Sequence, residues 1–208
     1  GYDLIFKAPN KEENYGRGSI HDREFKDIPE ENQTPFSIHM VFGKREEKKE
    51  DPLIRDLLSS AFGPGRFAKT AYRLRENALH YTNLSFVCYK DNLLIGSVRY
   101  WPILSDDDKE LLLLGPVAIH PSCRGHGIGY KLINESINHC RDNGHSVVIL
   151  VGDLAYYSKL NFSIVPRGQI KFPGPVDPQR ILYNDFGTGE FNKIIGNLRP
   201  YVKKIVDL

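Results

Sequence analysis

The sequence predicts a mixed α/β (α+β) fold, a central sheet with helices along its flanks. Three observations carry that prediction. Apolar runs of strand length recur between turn residues, helical stripes lie among them, and a glycine-rich loop joins one strand to one helix. The 208 residues suit one domain with appendages. With 40% apolar residues the chain can bury a core, and a net charge of +2 gives no field to gather nucleic acid or acidic membrane. Three widely spaced cysteines, Cys88, Cys123 and Cys140, argue against a disulfide framework and for a reducing, cytoplasmic setting. No apolar leader or membrane-length run stands out, so neither export nor membrane insertion is expected. No metal is expected either.

Residues 1–35 are polar and mixed in charge, with one apolar patch at Leu4-Ile5-Phe6. They read as an irregular N-terminal extension, with a lid for a partner or substrate as the functional alternative. The alternation over 36–42 predicts the first strand. The charge run from Arg45 to Asp51 reads as a solvated loop. Asp51-Pro52 then opens a helix as N-cap and first-turn proline, and Ile54, Leu57, Leu58, Ala61 and Phe62 share one face. Gly63-Pro64-Gly65 ends it. Phe67, Ala71, Leu74 and Ala78 make a second helical stripe.

A hairpin is expected next, 84–89 and 93–104 about Asp91-Asn92. Late in its second strand, Arg99, Tyr100 and Trp101 either face a substrate or pack across strands. The acidic turn 105–109 reads as solvated. Leu111 to Ile119 is a buried strand carrying Gly115-Pro116, a bulge signal, since proline cannot donate to a ladder. After the loop with Gly125, Gly127 and Gly129, a helix carries Leu132, Ile133, Ile137 and Cys140 and stops at Asn143-Gly144. Ser146 to Val151 is a second buried strand. A short helix (153–160), a strand (162–165), a proline-containing loop (168–178) and a last strand (180–186) beside the first are expected in turn. Ile194, Ile195, Leu198, Tyr201, Val202 and Ile205 suggest an amphipathic helical tail, broken near Pro200, that packs on the core or on a second subunit.

Strand, glycine loop, helix, strand is an arrangement suited to phosphate. Glycines let consecutive N–H groups turn inward, and a helix N-terminus adds partial positive charge. No Walker A spacing occurs, and Gly125-x-Gly127-x-Gly129 lacks the spacing of a dinucleotide loop. A nucleotide-binding α/β enzyme, which predicts ATP or NAD competing for the loop, is disfavoured on that ground.

What stands here is Arg124-x-x-Gly127-x-Gly129, preceded by Val117-Ala118-Ile119-His120-Pro121 and followed by Asp153-Leu-Ala-Tyr-Tyr157-Ser-Lys-Leu-Asn-Phe162. These elements resemble those of the GNAT superfamily of N-acetyltransferases, and Val151 to Tyr157 looks like its bacterial YhbS-like branch. The resemblance spans residues 36–186 and leaves 1–35 and 187–208 outside it. It implies a GNAT-like mixed sheet of about six to seven strands, splayed between its central two and flanked by about four helices. Acetyl-CoA is the implied co-substrate, transferred to a small-molecule or peptide amine, and relatives often form a homodimer.

The implied cofactor contacts are Val117, Ala118 and Ile119 on the strand, then Arg124, Gly125, His126, Gly127, Ile128, Gly129 and Tyr130 in the loop, with Tyr157 beyond. Splaying would leave N–H and C=O groups of Val117 and Ile119 open to the amides of the pantetheine arm. Ile119 N–H could also stabilise the developing oxyanion. Arg124 either adds charge to a phosphate or salt-bridges on the surface, and His126 either hydrogen-bonds there or faces solvent. Cys123 reads as structural. An alkyl amine has a pKa of ~10.4, so it must lose a proton before attack, and the departing thiolate needs one. Tyr157, five residues before Phe162, stands where the family's acid tyrosine stands; otherwise its ring packs on pantetheine. Tyr156 reads as a core or acceptor contact. Asp153 either holds the incoming ammonium and relays its proton or caps the short helix. The central strand carries four leucines where many relatives have a glutamate, which keeps a non-catalytic acyl-CoA-binding or regulatory module as the alternative. Asn161 replaces the usual glycine before Phe162, and asparagine tolerates a left-handed backbone.

Overall fold

Leu111 to Leu114 are each at most 3% exposed, and that burial on both faces is why the strand reads as an unbroken leucine run. The computed structural model describes residues 4–6, 41–63 and 70–202. The strands are β1 (Leu4–Phe6), β2 (Val41–Arg45), β3 (Phe86–Lys90), β4 (Leu93–Leu104), β5 (Glu110–Ile119), β6 (Val148–Val151), β7 (Ser163–Ile164), β8 (Ile170–Lys171), β9 (Ile181–Asn184), β10 (Gly196–Asn197) and β11 (Arg199–Pro200). The helices are α1 (Asp51–Phe62), α2 (Thr70–Arg73), α3 (Ile128–Asp142) and α4 (Leu154–Tyr157).

Along the main sheet the order is β1-β2-β3-β4-β5-β6-β9-β7. β1 joins β2 in parallel, so the expected irregular arm contributes a strand at its apolar patch. β3 pairs with β4 only as far as Val98, and β11 joins β4 further on, at Ile103 and Leu104. β8 and β10 form a small separate pair. The described residues thus make a mixed, mostly antiparallel sheet with more, shorter strands than expected. They divide into two units. One holds β1, 41–63, Thr82–Val98 and Pro116–Ser136; the other holds 70–81, Arg99–Gly115 and 137–202.

In the first unit, Ile54, Leu57 and Leu58 of α1 bury against Val87, Leu94 and Ala118. Asp91 and Asn92 both take positive φ, 47° and 65°, which is the backbone that a two-residue hairpin turn needs. Three expectations change here. The described part of the first strand is Val41–Arg45, while 36–40 and Phe67 lie outside the described residues. The N-cap of α1 is Glu50 rather than Asp51, which sits one turn from Arg55 and pairs with it at 2.6 Å. The charge run is not a solvated loop: Glu50 is 1% exposed. Its carboxylate accepts from the Tyr89 hydroxyl (2.8 Å), the Lys44 ammonium (2.5 Å) and the Glu47 N–H (2.7 Å). Three donors compensate its lost hydration.

The second unit is cored by Leu74, Ile103, Leu111, Leu113, Ile149 and Phe191 with their neighbours. Its α2 is a single turn, shorter than the expected helix, and Leu74 just beyond it is fully buried. β9 pairs with β6 and β7, not with the first strand. Residues 190–200 form a 3-10 turn and the short strands β10 and β11 in place of an amphipathic helix; 203–208 lie outside the described residues. Gly196 and Pro200 explain the change, because one costs helix backbone entropy and the other lacks the N–H. The acidic turn anchors this segment. Asp106 accepts from the N–H and side-chain amide of Asn197 (2.8 and 2.9 Å), and Asp108 pairs with Arg199. Those two aspartates are therefore not merely solvated. Ile194 and Leu198 enter the unit's core.

α3 ends as its sequence predicts. Gly144 takes φ 85°, its N–H donates to Arg141 O, and His145 N–H reaches Cys140 O. Among the described residues no helix is long and apolar enough to cross a membrane.

Candidate active site

The predicted site residues divide between the two units. Val117, Ala118, Ile119 and the loop from Arg124 to Tyr130 belong to the first, Asp153 and Tyr157 to the second.

In the first unit, His120 N–H donates to Ile95 O at 2.7 Å, which ties the end of β5 to β4. Backbone groups alternate along a strand, so Ala118 faces β4 while Val117 and Ile119 present their N–H and C=O to the opposite edge. A 3-10 turn over Pro121–Cys123 follows, capped by the His120 ring, whose Nδ1 lies 2.7 Å from Ser122 Oγ. Cys123 is buried and free. Gly125 and Gly127 take φ of 81° and 72°, the left-handed region that favours glycine, and nothing lies within 4 Å of a Cβ placed on Gly125. The loop then enters α3. The N–H groups of Ile128, Gly129 and Tyr130 come too early to find a carbonyl within the helix, and the first intrahelical bond runs from Lys131 to Gly127 O at 3.0 Å. Open space beside consecutive amides at a helix start fits an anionic diphosphate.

Arg124 braces the loop. Its guanidinium donates to Ile119 O (3.3 Å) and Ala61 O (3.4 Å), so it ties the loop to β5 and α1 and occupies a carbonyl that was expected open. His126 is half-buried.

In the second unit, β5 and β6 run parallel and pair only at Leu112 with Val148 and Leu113 with Ile149. Gly115, just beyond, takes φ 122°, and its carbonyl accepts the Trp101 indole N–H at 2.8 Å. Gly115-Pro116, where a bulge was expected, therefore lies just past the end of the ladder, and Trp101 holds the Gly115 carbonyl.

Past β6 the chain reaches Gly152. A Cβ on this glycine would lie 2.7 Å from Leu150 Cδ1 and 2.8 Å from Tyr157 Cδ2, because the Tyr157 ring rests against its backbone. Asp153 caps α4, its Oδ1 accepting from Ala155 N–H at 2.9 Å. Tyr157 is held edge-on by Phe162 (5.7 Å between centroids) and by Tyr156 (5.0 Å). Tyr156 itself is 40% exposed, so it is not a core residue. Asn161 takes φ 60° and turns the chain, which brings Phe162 N–H to Tyr157 O at 3.2 Å. Burial pushes the Tyr157 phenol up to about 12, with Tyr156 adding to the rise and Arg180 opposing it. Arg180 was not expected in the site. Its carbonyl accepts Gly152 N–H at 2.9 Å and its Nε donates to Gly152 O at 3.3 Å. Nothing local in the sequence signals that pairing across 28 residues.

Residues 52–162 match the acetyltransferase (GNAT) family, which is more than half of the chain. The chain belongs to the GNAT acetyltransferase family. The uncharacterized N-acetyltransferase YhbS of Escherichia coli (strain K12) is 27% identical over 126 residues, covering 60% of this chain and 74% of that protein. YjhQ of the same strain, also described as an uncharacterized N-acetyltransferase, is 26% identical over 143 residues, covering 67% and 76%. Among solved structures, Escherichia coli YhbS in complex with CoA superposes at TM-score 0.65 with 23% identity, over 77% of this chain and 89% of that one. That likeness is one of fold. A GNAT family acetyltransferase from Brucella melitensis in complex with acetyl-CoA superposes at 0.52 with 29% identity, over 70% and 96%. Among the described residues of this GNAT chain, no group of three or more His, Cys, Asp or Glu side chains is placed to hold a metal ion.

Proposed function

We propose that this GNAT protein transfers an acetyl group from acetyl-CoA directly to a primary amine, with Tyr157 as general acid. The observation that carries the reading is Tyr157 itself, a half-buried phenol kept protonated at neutral pH and set against Gly152 at the family's tyrosine position. Acetyl-CoA would supply an acetyl thioester. The amides from Gly125 to Tyr130 bind the diphosphate, and Val117 on the outer edge of β5 pairs with the pantetheine amides. Ile119 N–H steadies the charge that builds on the acyl oxygen. Orientation of two substrates in one site is worth about 7–11 kcal/mol. As the C–N bond forms and the C–S bond breaks, Tyr157 gives its proton to the departing sulfur. Asp153 keeps one oxygen for its cap and has a second for the acceptor's ammonium. The proton that this amine loses before attack leaves by water, and the one its nitrogen sheds after attack returns through water to the Tyr157 phenolate.

Residues 36–186 form the catalytic domain in this reading, with 1–35 an extension and 187–208 a tail packed on the domain, supported by Ile194 and Leu198 in the core. Three free, buried cysteines fit a cytoplasmic setting. The homodimer frequent among relatives is part of the proposal, and sedimentation tests it.

The first test is thermal stabilisation by acetyl-CoA, with CoA, ATP and NADH alongside. Ligand at ~100 times its dissociation constant should add about 2.7 kcal/mol. A shift with the CoA species alone is expected; no shift with them removes the reading. Thiol release with a panel of amines then separates an enzyme from a non-catalytic acyl-CoA-binding module, which turns nothing over.

A further inference from the structure

Arg180 and Tyr157 meet on one glycine. Arg180 closes a 3-10 turn over Pro178–Arg180 that Asp177 caps, its side chain accepting from Gln179 N–H at 3.0 Å. The Arg180 N–H donates to Asp177 O (3.0 Å), so the residue is fixed before β9 begins. β9 runs beside β6 with Ile181 opposite Val151, and the pairing reaches one residue further, where Gly152 N–H donates to Arg180 O at 2.9 Å. The Arg180 side chain then folds back, and its Nε donates to Gly152 O at 3.3 Å. Both polar groups of Gly152 are thereby held by one residue.

Against the same glycine lies the Tyr157 ring. The ring atom nearest the place of a Gly152 side chain is Cε2, the carbon next to the one that carries the hydroxyl. The phenol end of the ring, not its root, therefore faces the residue that the guanidinium grips. Two ionisable groups bear on this phenol: Tyr156, its neighbour on α4, and Arg180, from the turn that leads into β9. Tyr156 adds to the rise that burial causes, whereas Arg180 opposes it, as a cation that favours the phenolate must. Arg180 is exposed, so solvent screens part of that effect.

Acid catalysis creates the need for such a charge. When the Tyr157 O–H gives its proton to the departing sulfur, the bonding pair stays on oxygen and a half-buried phenolate remains. An anion with lost hydration and no compensating charge is costly. A guanidinium keeps its proton throughout, so it is a positive charge at every working pH. Resting on the reading of Tyr157 as general acid, we propose that Arg180 is the positioning residue for that acid: it fixes Gly152 against the ring, and its charge steadies the phenolate until water returns the proton.

The test uses the full chain. Placing 3-fluorotyrosine at position 157 gives a more acidic phenol with a ¹⁹F signal, so its titration can be followed in the folded protein. Arg180→Gln should raise the pKa of that fluorophenol by roughly one unit. In the unfluorinated chain the same substitution should lower kcat by roughly three- to tenfold and leave KM for acetyl-CoA unchanged. Arg180→Lys keeps the charge and should lie between the parent and Arg180→Gln in both quantities. A merely structural arginine would leave the fluorophenol pKa where it is, and that result overturns the proposal. So does a lysine variant that behaves as the glutamine one, or a raised acceptor KM with kcat intact, which would make Arg180 an acceptor contact instead. If Arg180→Gln does not fold, the fluorinated parent decides. Its Arg180 ¹³Cζ resonance, assigned by its loss in Arg180→Lys, must shift with the same midpoint as the fluorine signal; a resonance that stays still overturns the inference. A Tyr157→Phe protein that turns over as fast as the parent is a different failure. It removes the acid reading and this inference with it, whereas failure of Arg180 alone leaves Tyr157→Phe impaired.

Discussion

Gly125 and Gly152 are both indispensable to the proposed chemistry, for opposite reasons. Gly125 has a left-handed backbone and empty space around it. Gly152 has no positive φ among the glycines that do, and its surroundings are full: the Tyr157 ring and Leu150 occupy the place of a side chain. The loop of the first unit works through backbone groups turned toward open space, whereas the corner of the second works through one side chain wedged in place. The difference teaches that a binding loop and a proton donor can both require glycine while responding to substitution through different quantities, affinity in one and turnover in the other.

The sharpest check is Tyr157→Phe. Removing the phenolic proton while keeping the ring on Gly152 should lower kcat by about 10²–10⁴ with little change in KM for acetyl-CoA, measured by steady-state thiol release. Next comes Gly152→Ala. The new methyl must displace Tyr157 or Leu150, so unfolding in urea should show a loss of about 1–3 kcal/mol, and kcat should fall with it. Combined with Tyr157→Phe it should add little further loss of kcat, because both act on one proton donor. Gly125→Ala should spare kcat and weaken acetyl-CoA binding, with about 1–2 kcal/mol of backbone strain. A Gly152→Ala protein with intact kcat and weakened cofactor binding would break the contrast.

The smallest effect is in pH. Tyr157 is raised from its ordinary value of 10 to about 12, so its folded form holds the proton where the unfolded chain has lost it. The stability linked to this group is present below pH 10 and disappears as pH rises toward 12. Chemical denaturation across that window should therefore show a gentler decline in Tyr157→Phe than in the parent. Below pH 10 no falling limb of kcat should come from this tyrosine.

How much of this was legible depended on the range of the interactions. The Asp91-Asn92 hairpin, the Asn143-Gly144 stop of α3 and the left-handed Asn161 turn are decided by residues a few positions apart, and each stands where the sequence placed it. The loop from Arg124 to Gly129 was legible because glycine spacing governs its backbone directly. Glu50 was misread as part of a solvated run because one of the donors that compensate its burial, the Tyr89 hydroxyl, stands 39 residues on. The tail was misread as a helix because its partners, Asp106 and Asp108, stand 91 residues away. Periodicity records an apolar face but says nothing of which strand edge is vacant.

By itself the sequence determined the β3–β4 hairpin, the succession of β5, glycine loop, α3 and β6, and the tyrosine followed by a left-handed turn. These rest on local sterics and on the spacing of side chains along one element. Only the tertiary structure decided that β5 and β6 part after two paired residues each, that Arg124 braces the loop, and that Arg180 grips both sides of the Gly152 peptide. It also decided that Asp153 spends an oxygen on a helix cap. Each of those outcomes depends on which groups distant in the chain are left facing one another once water is excluded, and no stretch of sequence encodes that alone.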